Sequence, residues 1–402
     1  MNETGWSVGP AEARPRFHGT AGAMAPVVLK GLALTLLTLG VYRFWFVTNV
    51  RRFLWGGTEI DGDRLEYAGR GIELFLGFLV ALAVVAPLSA AIQFGALVAG
   101  PSAQAVLQPL FSLGFVVLAQ FALFRARRYR LTRTVWRGVR FQQSGSGFVY
   151  AARSIGWGLL AIVSIGLLYP FMRASLERYK MENTWFGDQK ASFDATGRQL
   201  FRRGVLLWLI AMVTVLGPLA LVGRVVSQHQ SGDAPSGDVM IGMAAVGAGL
   251  AIAIALVVIL PLYQAIEFRW WAQGSRIGET RVTTDLGLFA FLRIYLGFGL
   301  LAVVCLVAIG AVAAALGYAS GAKAGGVEAG PAFAILFALS YFAAGVAVAA
   351  VWQIFGARLI WKRSFESVTI AGLGRLMAAQ STTPPANAFG EGVADALDFG
   401  GF

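Results

Sequence analysis

Arginine pairs followed by an aromatic ring occur twice, as Arg51-Arg52-Phe53 and Arg127-Arg128-Tyr129, and Arg178-Tyr179 sits in a third related stretch. A guanidinium is planar and permanently charged, with donors that match phosphate oxygens. At the end of an apolar stretch its stem lies along hydrocarbon, its charge reaches headgroup depth, and a neighbouring ring sits at the interface. On this chemistry Arg51, Arg52, Arg127, Arg128, Arg130, Arg178 and Lys180 are candidates for contact with anionic lipid headgroups. A plain anchoring device without a ligand and a substrate or lipid site both remain open for these residues.

Gln93, Gln108 and Gln120 stand out as polar side chains within long apolar runs. Polar groups at membrane depth are costly and mark functional or packed positions, so a permeation path requires these three to face one another. Glu73, Glu177 and Glu267 lie at helix ends beside Arg70, Arg178 and Arg269, and read as interfacial ion partners, not acids or bases. Cys305 is alone and lies deep in an apolar run, where it reads as a small packing residue; His18 and His229 are the only histidines, which argues against a metal centre. The sequence contains no phosphate-binding loop, His-Glu-x-x-His pair, Cys pair or Gly-x-Ser-x-Gly elbow. No catalytic residue, metal or cofactor is therefore assigned, and an enzyme is not expected.

The elements that position these residues follow from composition. The 402 residues are 57% hydrophobic and 13% charged, with a mean hydropathy of +0.67, against the ~25% charged residues of soluble domains. Leu74 to Phe124 contains no Asp, Glu, Lys or Arg, and a bilayer core of ~30 Å needs only about 20 apolar residues per helix. The fold class is an all-α polytopic membrane protein. Charge-free windows place six spans at about 74 to 96, 104 to 124, 204 to 223, 239 to 266, 294 to 318 and 331 to 357. These form three hairpins, whose loops are Gly100-Pro101-Ser102, Ser231 to Gly237 and Ser320 to Gly330. Two further apolar stretches, 31 to 42 and 154 to 172, are short or rich in Gly and Pro, and are expected to be re-entrant or marginal. The net charge of +12 reads as membrane topology and not as nucleic-acid binding. Pro10, Pro15 and two acids within the first 23 residues argue against a cleaved signal peptide.

Internal repeats link the spans. Residues 51 to 75 align without gaps on 127 to 151 and, more loosely, on 177 to 201, with a degenerate copy at RWWAQGSRIGETRV. Thr58, Gly62, Thr134, Gly138, Thr184 and Gly187 are the repeat-motif positions. Alternation of Thr58, Ile60 and Arg64 about Asp61-Gly62 predicts a short surface β-hairpin. The expected organisation is an N-terminal segment 1 to 23, membrane repeats 24 to 153 and 154 to 285, a membrane hairpin with the degenerate copy 286 to 375, and a flexible tail 376 to 402.

In RFHGTAGA (16 to 23), TLLTLGVYRFW (35 to 45), RRFLWGGTEIDGDRLEYAGRGIELF (51 to 75) and LLYPFMRASLERYKMENTWFG (167 to 187) the sequence resembles the YjgN family of bacterial inner-membrane proteins, long classed as a domain of unknown function. The family pattern favours Pro after the Tyr of the Leu-Gly-x-Tyr motif. Pro170 follows Tyr169 here, whereas Arg43 follows Tyr42. The resemblance implies location and architecture, and brings no catalytic residue.

Two functional readings follow. One is a transport or permeation protein for a small solute or lipid, favoured narrowly by the repeats and the two short segments, since half-length backbone at membrane depth lines cavities or is buried in protein. The other is a non-transporting structural or lipid-interacting protein whose Arg-rich hairpins bind anionic headgroups. Membrane lipids are the expected partners, nucleic acid is not, and no oligomeric state follows. If all eight apolar stretches cross, Lys and Arg divide 16 against 14 between the two sides; with both short stretches re-entrant they divide 28 against 2. The positive-inside rule favours the second arrangement, with both termini cytoplasmic.

Overall fold

The computed structural model describes residues 12–230, 237–319 and 331–379. The expected loops 231 to 236 and 320 to 330 with Lys323, the first 11 residues and the tail from residue 380 lie outside them. In chain order, strands β1 (Glu12–Ala13) and β2 (Arg16–Phe17) precede helices α1 (Ala21–Leu37) and α2 (Arg43–Gly56). Strands β3 (Thr58–Ile60), β4 (Asp63–Arg64) and β5 (Glu66–Tyr67) lead to α3 (Gly71–Ala99) and α4 (Pro101–Thr132). Next come β6 (Thr134–Trp136), β7 (Val139–Gln143), α5 (Gly147–Val163) and α6 (Tyr169–Glu182), followed by β8 (Thr184–Phe186), β9 (Gln189–Phe193) and α7 (Gly197–Gln230). Helix α8 (Gly237–Ile254) runs through a π-helical turn, Ala255–Ile259, into α9 (Leu260–Gly274), ahead of β10 (Ser275–Ile277) and β11 (Thr280–Thr284). Helix α10 (Ala290–Ala319) precedes α11 (Pro331–Val351), which passes through a second π segment, Trp352–Ala357, into α12 (Arg358–Glu366), β12 (Val368–Ala371) and α13 (Leu373–Met377).

Among the described residues six helices are long and apolar enough to cross a membrane: Gly71–Ala99, Pro101–Thr132, Gly197–Arg224, Ile241–Gly274, Ala290–Ala315 and Ile335–Glu366. They fall on the six charge-free windows, and several run past them at the collar end. Helix α4, for example, continues past Phe124 to Thr132 and carries Arg125, Arg127, Arg128 and Arg130 as a helical extension.

The two short stretches are neither straight nor single. Residues 31 to 42 comprise the end of α1 and a reversal, after which α2 packs back against α1; residues 154 to 172 do the same between α5 and α6. Leu39 and Gly40 have φ of 51° and 93°, and Ile165 and Gly166 have φ of 50° and 82°. The Gly40 and Gly166 N–H groups reach back to the Thr35 and Ala161 carbonyls, both at 2.7 Å. This is the left-handed termination that closes a helix and turns the chain. Thr38 and Ser164 hydroxyls accept from the Tyr42 and Leu168 N–H at 2.9 and 3.1 Å, so Arg43 in place of Pro leaves the reversal unchanged. Helix α1, with 17 residues, is about 25 Å long at ~1.5 Å per residue.

An all-α description is incomplete, because the strands form an extended sheet. Nine strands pair in the order β1-β12-β11-β10-β9-β8-β7-β6-β5, and three more as β2-β3-β4. Only Arg14-Pro15 separates β1 from β2 and only Leu65 separates β4 from β5, so the chain itself joins the two sheets: it leaves one end of the large sheet, enters the small one and returns. The hairpin expected at Asp61-Gly62 is present, with φ of 52° and 83°, and Arg137-Gly138 repeats it at 53° and 76°. Paired positive φ values give the turn whose twist matches the flanking strands.

Register divides the strand residues into two faces. Trp136, Val139, Phe141, Phe186 and Ile277 share one face, with Phe141 opposite Phe186 and Trp136 opposite Val139. Side chains from this face converge with Phe17, Tyr67 and Leu373 in one apolar cluster, which continues into α1 and α2 through Met24, Val28 and Leu54. The other face presents Arg64, Arg140, Lys190, Arg276 and Arg281. The sheet is therefore a filled collar around the ends of the helices.

Candidate functional site

Where helices meet the collar, the same contacts recur at equivalent positions. Thr58, Thr134, Thr184 and Ser275 open the first strand after a helix, and each donates its hydroxyl to the carbonyl four residues back, at 2.7 to 2.8 Å. All four are buried. Three of them also accept from a neighbouring segment: Thr58 from Trp361 Nε1 at 2.9 Å, Thr134 from Trp55 Nε1 at 3.0 Å, and Thr184 from Arg127 at 3.0 Å. Gly62 and Gly138 take the second turn position and Gly187, with φ of 55°, the first position of its turn.

The triplet arginines bond to the protein itself, Arg51 and Arg127 from buried or half-buried positions and Arg52 and Arg178 while exposed. Arg51 donates to the Tyr67 hydroxyl at 3.2 Å and Arg127 to Gln143 Oε1 at 2.7 Å, each sixteen residues on. Arg52 donates to the Gly69 carbonyl at 2.8 Å and Arg178 to that of Ala195 at 3.5 Å, each seventeen on. Arg128 and Arg130 lie on the same turns of α4, and both are engaged with partners.

The triplet aromatics do not lie at an outer interface. Tyr129 is fully buried and donates to Glu73 at 2.8 Å; Tyr179 exchanges two hydrogen bonds with the Ser146 backbone. Trp270, on α9, donates to the Thr196 carbonyl at 2.9 Å. Each ring reaches the point where the preceding hairpin hands over to a helix, since a buried hydroxyl or indole N–H must find an acceptor.

Glu73, Glu177 and Glu267 are ion partners, but not of their sequence neighbours. Glu73 holds Arg133 at 3.1 Å, and Arg173 bridges Glu177, at 3.4 Å, and Glu267 across α6 and α9. Lys180 closes on Glu177 at 2.5 Å. On a helix the residues that meet are three or four apart, so the adjacent Arg178 points elsewhere. The Glu177 side chain is 5% exposed. Burial pushes its carboxyl upward, but Lys180, Arg173 and Arg127 outweigh that and hold it below the ordinary carboxylate range. Burial pulls the Lys180 ammonium below its usual value, and Glu177 offsets only part of this.

Beside this cluster a cavity of about 390 Å³ lies at the α5–α6 reversal, walled by Phe201, Trp208, Met212 and Tyr263. The three glutamines do not line it. Gln93 and Gln108 are exposed on α3 and α4, and Gln120 accepts from Ser154 at 2.8 Å.

Of the predicted bases Arg52 and Arg178 remain exposed, and sequence reasoning left a further set of exposed bases out of its candidates. Five helices leave the collar, and each carries an exposed base at its cap or within three turns: Lys30 on α1, Arg70 at α3, Arg153 on α5, Arg198 and Arg202 on α7, and Arg293 on α10. Their signal was present as charges at the start of each apolar run, and none is followed by an aromatic ring as in the triplets, not even the Arg202-Arg203 pair.

Six apolar helices joined through a strand collar define a polytopic membrane protein. The profile of a family described as "Bacterial protein of unknown function (DUF898)" matches residues 12–396, and the chain belongs to that family. It is similar to the inner membrane protein YjgN of Escherichia coli O157:H7, at 26% identity over 168 residues, 40% of each chain. It is also similar to YjgN of Escherichia coli strain K12, at 25% over 160 residues, 38% of each. The matched stretch spans about two fifths of the length of these curated relatives. No solved structure matches. The helices and the relatives together make this a multi-pass inner-membrane protein of the YjgN family.

Proposed function

We propose that this protein is a lipid-interacting component of the inner membrane and not an enzyme, with the collar and both termini on the cytoplasmic side. The internal repeats build one structural unit several times, and α1–α2 and α5–α6 enter the membrane from the collar side and return without crossing. The observation that carries this reading is the circle of exposed bases on the helices leaving the collar, Lys30, Arg70, Arg153, Arg198, Arg202 and Arg293. Bases near an anionic leaflet each contribute up to about 1 kcal/mol, and the 28 against 2 division of Lys and Arg supports the same orientation. Transport of a small solute is the weaker reading. It needs polar side chains around one path, whereas Gln93 and Gln108 are exposed and Gln120 is taken up by Ser154.

The test is lipid selectivity in nanodiscs of mixed phosphatidylethanolamine and phosphatidylglycerol. Arg70, Arg198 and Arg202 changed together to Gln should lower the phosphatidylglycerol retained on release from the disc, at unchanged helix content. Equal retention by the variant and the parent would contradict the reading.

A further inference from the structure

We propose that the cavity between the start of α10 and α12 binds one amphiphile with an anionic head and an acyl tail. This rests on the lipid reading above and narrows it to a single built site. The cavity is about 810 Å³, within the ~300–1,000 Å³ of sites that enclose small molecules. Each wall contributes a base, Arg293 from α10 and Arg363 from α12. Both are exposed, and among the described residues neither side chain has an ion pair or hydrogen bond. The two acids at the cavity are already matched, Asp285 with Arg14 at 3.3 Å and Glu366 with Lys362 at 3.8 Å. The unmatched charge facing the space is therefore positive, and the positive end of the α10 dipole adds to it.

Away from the bases the wall is apolar, with Phe289, Ile294, Phe298, Leu301, Phe355 and Leu359. A hydrocarbon tail gains from burial there, while a carboxylate or phosphodiester gains charge-assisted hydrogen bonds from two guanidinium groups. Neither part alone uses the whole cavity. A free fatty acid and an anionic phospholipid share this chemistry.

The experiment is native mass spectrometry of the full chain in a zwitterionic detergent, titrated separately with phosphatidylglycerol, palmitate and phosphatidylcholine. One molecule of phosphatidylglycerol or palmitate should bind ahead of any phosphatidylcholine; which of the two binds more tightly identifies the source of the head. Arg293→Gln with Arg363→Gln should weaken that binding about tenfold or more, the loss of charged hydrogen bonds. Gly297→Leu keeps both bases and fills the space, since a Cβ there meets nothing within 4 Å, and should weaken binding to a similar extent. If the double variant does not fold, Gly297→Leu carries the test. Arg198→Gln with Arg202→Gln should retain the single molecule while losing diffuse anionic lipid. Loss of diffuse lipid without any single tight molecule would remove this site and leave the broader reading standing. Phosphatidylcholine binding as tightly as the anionic probes, or undiminished binding in the cavity variants, would overturn the proposal.

Discussion

Trp55 donates its indole N–H to Thr134 Oγ1 at 3.0 Å, joining the end of α2 to the first strand after α4 across 79 residues of sequence. The same hydroxyl donates to the Arg130 carbonyl at 2.8 Å, so one oxygen both closes a helix and fixes the neighbouring one.

Thr134→Val should destabilise the protein by about 1–3 kcal/mol, because it leaves the buried Trp55 N–H without its acceptor, whereas Thr134→Ser should stay close to the parent. Thermal melting of the purified protein in detergent checks the pair. Equal melting temperatures for Val and Ser would show that the hydrogen bond contributes nothing.

Glu177 is the hub of the charged cluster, and Glu177→Gln leaves Lys180 and Arg173 with less compensation in a buried setting. A loss of about 3–5 kcal/mol is expected, as for breaking one side of a buried ion pair. The pH dependence has a definite sign. A folded-state value held below the unfolded ~4.3 stabilises the fold fully above that value and loses its contribution as pH falls through the folded-state value. Melting temperature should fall more steeply with acid in the parent than in Glu177→Gln; parallel curves would remove Glu177 from that role.

The glutamines respond differently according to their surroundings. Gln93→Leu and Gln108→Leu, at exposed positions, should be neutral or stabilising in lipid, while Gln120→Leu should cost about 0.6 kcal/mol, a typical hydrogen bond between membrane helices. Steric-trap unfolding in bicelles measures all three. A larger loss at Gln93 than at Gln120 would return the polar path to consideration.

Much of this fold is legible in the sequence where the physics is local. Charge-free length locates the six long helices, and Asp61-Gly62 specifies its turn because only small or permissive residues take paired positive φ cheaply. The collar was out of reach for the opposite reason. Strands such as Glu12–Ala13 and Glu66–Tyr67 are two residues long and carry no period, and β1 finds β12 more than 350 residues away in the chain. The inward bonding of Arg51 and Arg127 was hidden as well, since an arginine doublet reads the same whether its acceptors are lipid phosphates or a Tyr, a Gln and a Thr of the neighbouring strands. The Arg173–Glu177 pair was legible as an i,i+4 spacing on α6, whereas only the third dimension reveals that Arg173 also meets Glu267 on α9.

Orientation of the collar is tested most directly by impermeant thiol labelling in intact cells and inverted vesicles. A Cys305→Ser background carries single cysteines at Arg64, Ser146, Thr196 and Thr283, which are exposed, unlike Thr58, which is fully buried. Ser102, exposed in the first turn of α4, supplies the opposite end. All four collar positions should label from the cytoplasmic side and Ser102 from outside. Labelling of Arg64 and Ser146 from opposite sides of the membrane to Thr196 and Thr283, which requires α5–α6 to cross, would contradict a single collar on one face.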